Sequence, residues 1–196
     1  MENFDDIIKI KTNNIKPTRG KILISEPFLF DYYFRRSVVL LAEHNKEGSF
    51  GVIINKPMNV SFNEVVKNFP EYESKVYLGG PVKTDSLFFL HTYGEIVENS
   101  MPVIDGLYWG GDLEKIKEML LLGQLDEDGI RFFIGYAGWM PKQLDMELKR
   151  DSWLVSKFTT DQILSLDPDK MWETSLLELG KKYRHWTNFP SEPTLN

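Results

Sequence analysis

No cysteine occurs among the 196 residues, which excludes disulfides, thiolate-held metals, iron–sulfur clusters and cysteine nucleophiles. No apolar run approaches the ~18 residues that a membrane-spanning helix needs; residues 37–42 (SVVLLA) read as a buried strand instead. Positive charge is in deficit: 23 Lys+Arg against 29 Asp+Glu give a formal net charge of −6, with no block of five like charges. Such a chain weakly repels polyanions, so neither nucleic acid nor an anionic membrane surface is an expected partner. The opening MENFDDIIKIKTNN is too charged for the apolar core of a signal peptide, and the cytoplasm is the expected compartment.

What is present suffices for one substantial core: 42% hydrophobic residues, including 13 Phe, 8 Tyr and 5 Trp. Residues 1–18 read as a polar extension with a short helix around 4–10, residues 19–183 as a single domain, and 184–196 as a loose tail. Runs 20–25 (GKILIS), 37–43 (SVVLLAE) and 51–55 (GVIIN) are continuously apolar, the signature of strands covered on both faces. The second and third are expected to form a hairpin across 44–48.

Ser61 and Glu64 have capping-box spacing before Phe62, Val65, Val66 and Phe69, with Pro70 as the stop. Strands are expected at 75–78 and 87–91, joined hairpin-like through Gly79-Gly80-Pro81, and again at 130–136 and 153–158. Further helices start at the Asp112 N-cap, near Pro141, at the Thr159/Gln162 pair and at Asp167-Pro168. Strands and helices do not alternate regularly, so the expected class is α+β with a mixed sheet rather than a doubly wound parallel one.

Chemistry-bearing motifs are scarce. In 79–84 (GGPVKT), Val82 stands where a phosphate loop needs glycine before the Lys, and Pro81 removes an N–H donor. Residues 135–138 (GYAG) lack the third glycine of a dinucleotide fingerprint. No G-x-S-x-G elbow exists. His44, His91 and His185 have no metal-ligand spacing. Asp145 and Glu147 fall on an amphipathic helix, where carboxylates are usually solvated. No helix-turn-helix, zinc-finger or aromatic RNA-binding signature occurs. Neither a cofactor nor a metal is expected.

Several ordered blocks nevertheless resemble the YqgE/AlgH family: 20–44 (GKILISEPFLFDYYFRRSVVLLAEH), with Ser25, Pro27, Asp31, Phe34, Arg36 and Ser37; 51–57 (GVIINKP); 78–82 (LGGPV); 87–91 (LFFLH); and 135–139 (GYAGW), followed by Gln143-Leu144, Glu147-Leu148 and Trp153. Two positions depart from the family's pattern, Lys142 where glycine is frequent and Asp145 where Glu is common. The resemblance implies an α+β fold whose mixed, bifurcated β-sheet forms a pseudo-barrel with surrounding helices. It implies no particular reaction. One member of the family carries a transcriptional-regulator label, but recognised DNA-binding elements are absent here.

The leading expectation is a non-catalytic binding or regulatory module for a protein or small-molecule partner. Its pocket would be assembled from Asn55, Gly79, Gly80, Pro81, His91, Trp139 and Gln143, polar groups and special-backbone glycines at strand ends and element starts. These residues are expected to converge on one face. The rival readings are an enzyme with His91 as general acid or base and a DNA-associated regulator, which requires a basic surface stripe. Gly80 and Gly138 are both expected to resist a Cβ.

Overall fold

The computed structural model describes residues 13–190. The helix expected around 4–10 lies outside the described residues. Ten strands are formed: β1 (Lys21–Ser25), β2 (Val38–Asn45), β3 (Gly48–Ile53), β4 (Pro57–Ser61), β5 (Lys75–Leu78), β6 (Val82–His91), β7 (Met101–Ile104), β8 (Leu107–Trp109), β9 (Ile130–Trp139) and β10 (Trp153–Lys157). The helices are α1 (Phe62–Val65), α2 (Leu113–Leu121), α3 (Gln143–Lys149), α4 (Thr160–Ser165) and α5 (Pro168–Glu178). A 3-10 helix over Lys181–Asn188 buries Tyr183 and Trp186, so the segment expected as a loose tail from 184 packs against the domain as far as Phe189.

The apolar runs become strands covered on both faces. Along β1 and β2, Ile22, Ile24, Val38, Leu40 and Ala42 enter one core with Trp172, Leu176 and Trp186. Their alternates Leu23, Val39 and Leu41 enter a second core with Leu144 and Trp153. A third core gathers Phe62, Tyr72, Ile116, Met119 and Phe132. The capping boxes at Ser61/Glu64 and Thr159/Gln162 both form. The helix after Ser61 is only four residues long, because Val66 is already extended. Asn63 holds the returning chain there, its amide donating to the Pro70 carbonyl at 2.9 Å and its oxygen accepting the Tyr72 N–H at 2.9 Å.

Strand order along the sheet is β10-β1-β2-β3-β9-β6-β8-β7. The sheet forks at β9. Residues Phe132–Ile134 pair in parallel with β5, which carries β4 on its other side, while Ala137–Trp139 pair with β3. The other edge of β9 takes β6 antiparallel. β5 and β6 are therefore not the hairpin the sequence suggested; they flank β9 on opposite edges, and Gly79-Gly80 is the crossover between them. The α+β class and the bifurcation hold. The sheet is not closed into a barrel: β7 approaches the start of β1, where Arg19 Nη1 donates to the Pro102 carbonyl at 3.4 Å, but β1 is already paired on both edges, with β10 and β2.

The crossover rests on glycine. Gly80 has φ 153°, and a Cβ built there would sit 2.3 Å from the Tyr136 carbonyl carbon. The Gly79 N–H donates to the Ile134 carbonyl and its own carbonyl accepts the Ile53 N–H, both at 2.8 Å. Those bonds stitch the two branches of the fork together.

Candidate functional site

β9 carries the positions that decide whether the expected pocket exists. His91 pairs with Ile130 at its start, and Ser49 pairs with Trp139 at its end. At ~3.3 Å per residue the two ends lie on the order of 25–30 Å apart. Gly80 is buried against Tyr136 and Ala137 between them, and Pro81 is exposed. The seven expected residues do not meet in one concavity, because the pairings along β9 hold His91 and Trp139 at opposite ends and leave Asn55 in a separate cleft.

His91 is fully buried. Its Nδ1 accepts the Tyr93 N–H at 3.1 Å, so Nε2 carries the proton and donates to the Gly110 carbonyl at 2.8 Å. Ser100 Oγ lies 3.1 Å from the same nitrogen. Burial pushes the imidazole pKa below its ordinary value, with the Gly110 bond opposing. A neutral ring with both nitrogens bonded inside the protein serves as a structural pin and presents no base to a substrate. The exposed acid or base that the enzyme reading required of His91 is not what the structure places there.

Trp139 and Gln143 belong to a different cluster, organised by Glu147 on α3. Glu147 Oε2 accepts the indole N–H groups of Trp139 and Trp153 at 2.9 and 2.8 Å, and Oε1 accepts the Gln143 amide at 2.9 Å. Gln143 Oε1 in turn accepts the Met140 N–H at 3.0 Å. The carboxylate read as solvated is thus the hub of a half-buried network. Lys142, just before α3, sits in the left-handed region at φ 64°, which explains why glycine suits this position. Lys142→Gly is expected to stabilise the protein by about 0.5 kcal/mol, strain relief outweighing the added chain entropy. A melting temperature that falls relative to the parent would contradict this.

Two concavities adjoin this cluster. One, of about 470 Å³, is bordered by Phe50, Val82, Tyr136 and Trp139. The other, of about 560 Å³, is bordered by His44, Lys46, Ser49, Lys142 and Asp145. His44 Nδ1 and Ser49 Oγ are 2.7 Å apart, as cross-strand neighbours. No carboxylate orients the His44 ring among the described residues, so the pair lacks the third group that holds an imidazole in place for proton abstraction.

Asn55 lies in a further cleft, of about 320 Å³, together with Arg35, Arg36, Lys56, Trp172 and Thr187. Asn55 Oδ1 accepts the Val38 N–H at 2.8 Å and Nδ2 donates to the Arg36 carbonyl at 2.9 Å, so the side chain acts as one more rung beside β2. That rung holds Arg36 at φ 48°, with its guanidinium 4.8 Å over the Trp172 ring and Nη2 donating to the Phe189 carbonyl. Arg36 Nε is buried without a hydrogen-bond partner among the described residues.

Lys56 Nζ donates to the Tyr33 and Tyr32 carbonyls at 2.6 and 3.1 Å. Burial, reinforced by Arg35 and opposed by Asp31, lowers its pKa to about 8. Asp169 and Glu173, one helical turn apart on α5, also border the cleft. In the sequence Arg35, Arg36 and Lys56 stand only within family-like blocks, Trp172 reads as one residue of an apolar helix face, and Thr187 carries no signal. Nothing in their spacing signals that α5 and the last 3-10 helix fold back over β1–β3.

Among the described residues no helix is long and apolar enough to cross a membrane, and no group of three or more His, Asp or Glu is placed to hold a metal ion. The AlgH-like family model matches residues 22–184. A UPF0301 protein of Bacteroides thetaiotaomicron is 48% identical over 196 residues, covering 99% of this chain and 100% of its own length. One from Bacteroides fragilis is 47% identical over 192 residues, 97% of each chain. The solution structure of AlgH from Pseudomonas aeruginosa superposes with a TM-score of 0.69 at 26% identity, covering 91% of this chain and 98% of that one. A crystal structure of a Corynebacterium diphtheriae protein gives 0.72 at 24% identity over 89% and 94%, a likeness of fold. With a family match spanning most of its length and relatives near half identity, the chain belongs to the AlgH-like family.

Proposed function

We propose that the protein is a non-catalytic binding module whose ligand occupies the cleft bordered by Arg35, Arg36 and Lys56 and by Asp169 and Glu173. The observation that carries this reading is the Lys56 ammonium: a half-buried cation held by two carbonyls beside Arg35. An anionic group placed there offsets the cost of that crowded positive charge. The carboxylates of α5 favour a cationic group beside them, and the Trp172 ring supplies an apolar surface. A small zwitterion, such as a dipeptide or the terminus of a peptide chain, has this pattern. Duplex DNA does not fit it, given the formal net charge of −6 and the absence of a reading motif.

The test is a titration with glycylglycine, with acetate as the comparator lacking an ammonium, followed by backbone and side-chain resonances. Shifts are expected at Arg36, Lys56 and Trp172, with the dipeptide bound more tightly than acetate. Lys56 is charged below about pH 8 and loses its proton above it. Acetate stays ionised throughout this range, whereas the dipeptide's own amine titrates near pH 8, so it is the acetate affinity that should be full at pH 7 and fall several-fold by pH 9. For folding the sign is opposite. The depressed pKa costs stability below about pH 8, and that cost fades as pH rises toward the ordinary lysine value of 10.5. No shifts in the cleft, or affinity indifferent both to pH and to Lys56→Met, would refute the reading.

A further inference from the structure

A second cation raises a different question. Arg131, the second residue of β9, is 6% exposed, deeper than Arg36 or Lys56. Its Nη1 donates to the Ile54 carbonyl at 3.0 Å and its Nη2 to the Leu164 carbonyl at 2.8 Å, while the guanidinium stacks 4.5 Å from the Tyr77 ring centre. These contacts use two of its five N–H donors. Among the described residues no carboxylate lies within ion-pair distance of it. A buried guanidinium ordinarily finds a carboxylate or phosphate, because leaving the charge unpaired costs several kcal/mol. Carbonyl dipoles and a π face offset only part of that cost.

Arg131 opens on a small polar pocket of about 190 Å³ bordered by Ser74, Lys75, Tyr77 and Leu164, with the exposed Glu73 and Asp128 at its rim. Tyr77 is itself 6% exposed. Tyr77 borders the same pocket, and its hydroxyl makes no hydrogen bond among the described residues. The volume equals about six liquid-water volumes, room for a carboxylate with a short carbon chain and too little to enclose a nucleotide. The exposed Glu73 and Asp128, screened by water and only partly offset by the exposed Lys75, disfavour a dianion relative to a single negative charge. The planar fork of a guanidinium matches the two oxygens of a carboxylate.

We propose that Arg131 and Tyr77 form a receptor for a small monocarboxylate, separate from the cleft at Lys56 and independent of that reading. The bound carboxylate would accept the remaining guanidinium N–H groups and the Tyr77 hydroxyl, supplying the counter-charge that the described residues do not.

The test is a titration of the full chain with acetate and propionate, and with inorganic phosphate as a dianionic comparator near neutral pH, read from the Arg131 side-chain nitrogen and the Tyr77 ring resonances. Both carboxylates are expected to shift these signals saturably, with phosphate weaker. Arg131→Met should abolish the response. Because that variant loses two backbone contacts and risks misfolding, Tyr77→Phe provides a gentler check and is expected to weaken binding threefold to tenfold. Lys56→Met should leave the response intact, and so should raising the pH from 7 to 9, since the guanidinium stays charged throughout. The proposal is overturned if Arg131 and Tyr77 signals do not respond, if Tyr77→Phe binds as well as the parent, or if Lys56→Met removes the response.

Discussion

Gly80→Ala should cost at least about 3 kcal/mol of folding stability, an overpacking penalty with no side chain available to yield. The methyl group would meet backbone atoms on two residues at once, the Tyr136 carbonyl carbon at 2.3 Å and the Ala137 nitrogen at 2.4 Å. Backbone in the middle of β9 cannot retreat without breaking its pairing with β3, β5 and β6. The φ of 153° adds strain for any residue with a Cβ. Gly138→Ala is the informative contrast. Sequence reading grouped the two glycines, yet the nearest neighbour of a Cβ at 138 is the edge of the Tyr136 ring at 3.3 Å, a side chain that can move aside. Its cost should stay below about 1 kcal/mol. Urea denaturation of both variants decides the matter; a Gly80→Ala protein within 1 kcal/mol of the parent would show that the crossover is looser than the geometry implies.

Glu147→Ala is expected to destabilise by about 2–4 kcal/mol, because it strands two indole N–H groups as well as removing three charge-assisted bonds. Trp139 and Trp153 are 6% and 1% exposed, so the stranded donors have little water to turn to. Glu147→Gln should recover part of the loss, since one amide oxygen still accepts from an indole while its NH2 faces donors. The tryptophan fluorescence of the folded state offers a second reading, with a changed emission maximum expected in Glu147→Ala. Equal stability of the alanine and parent proteins would mean that the carboxylate contributes nothing net.

Glu147 also marks a boundary of legibility. On an amphipathic pattern it is one carboxylate among several, and nothing local distinguishes it from Asp145, which is exposed. Only the approach of Trp139 from β9 and Trp153 from β10 makes it the hub of a network. His91 shows the converse. A histidine ending an apolar strand suggested a reactive group at a rim, but β8 and the Tyr93–Gly110 segment close over it and satisfy both nitrogens.

By itself the sequence determined the local structure. Capping pairs, apolar runs and helix-stopping glycines act through neighbours a few residues away, so Ser61/Glu64, Thr159/Gln162, Asp112 and the run 37–43 all form what their chemistry requires. Composition likewise excluded thiol chemistry outright. The tertiary structure alone decided which strand pairs with which, and therefore where the chain forks and which side chains share a cleft. β5 and β6 look like hairpin partners because they adjoin in sequence, yet each pairs with an edge of β9 instead. Arg36, Lys56 and Trp172 meet, as do Arg131, Tyr77 and Leu164, only after pairings between distant segments are made. Those pairings are chosen by the burial and backbone hydrogen bonding of the whole sheet, a sum over long-range contacts that no short stretch of residues contains.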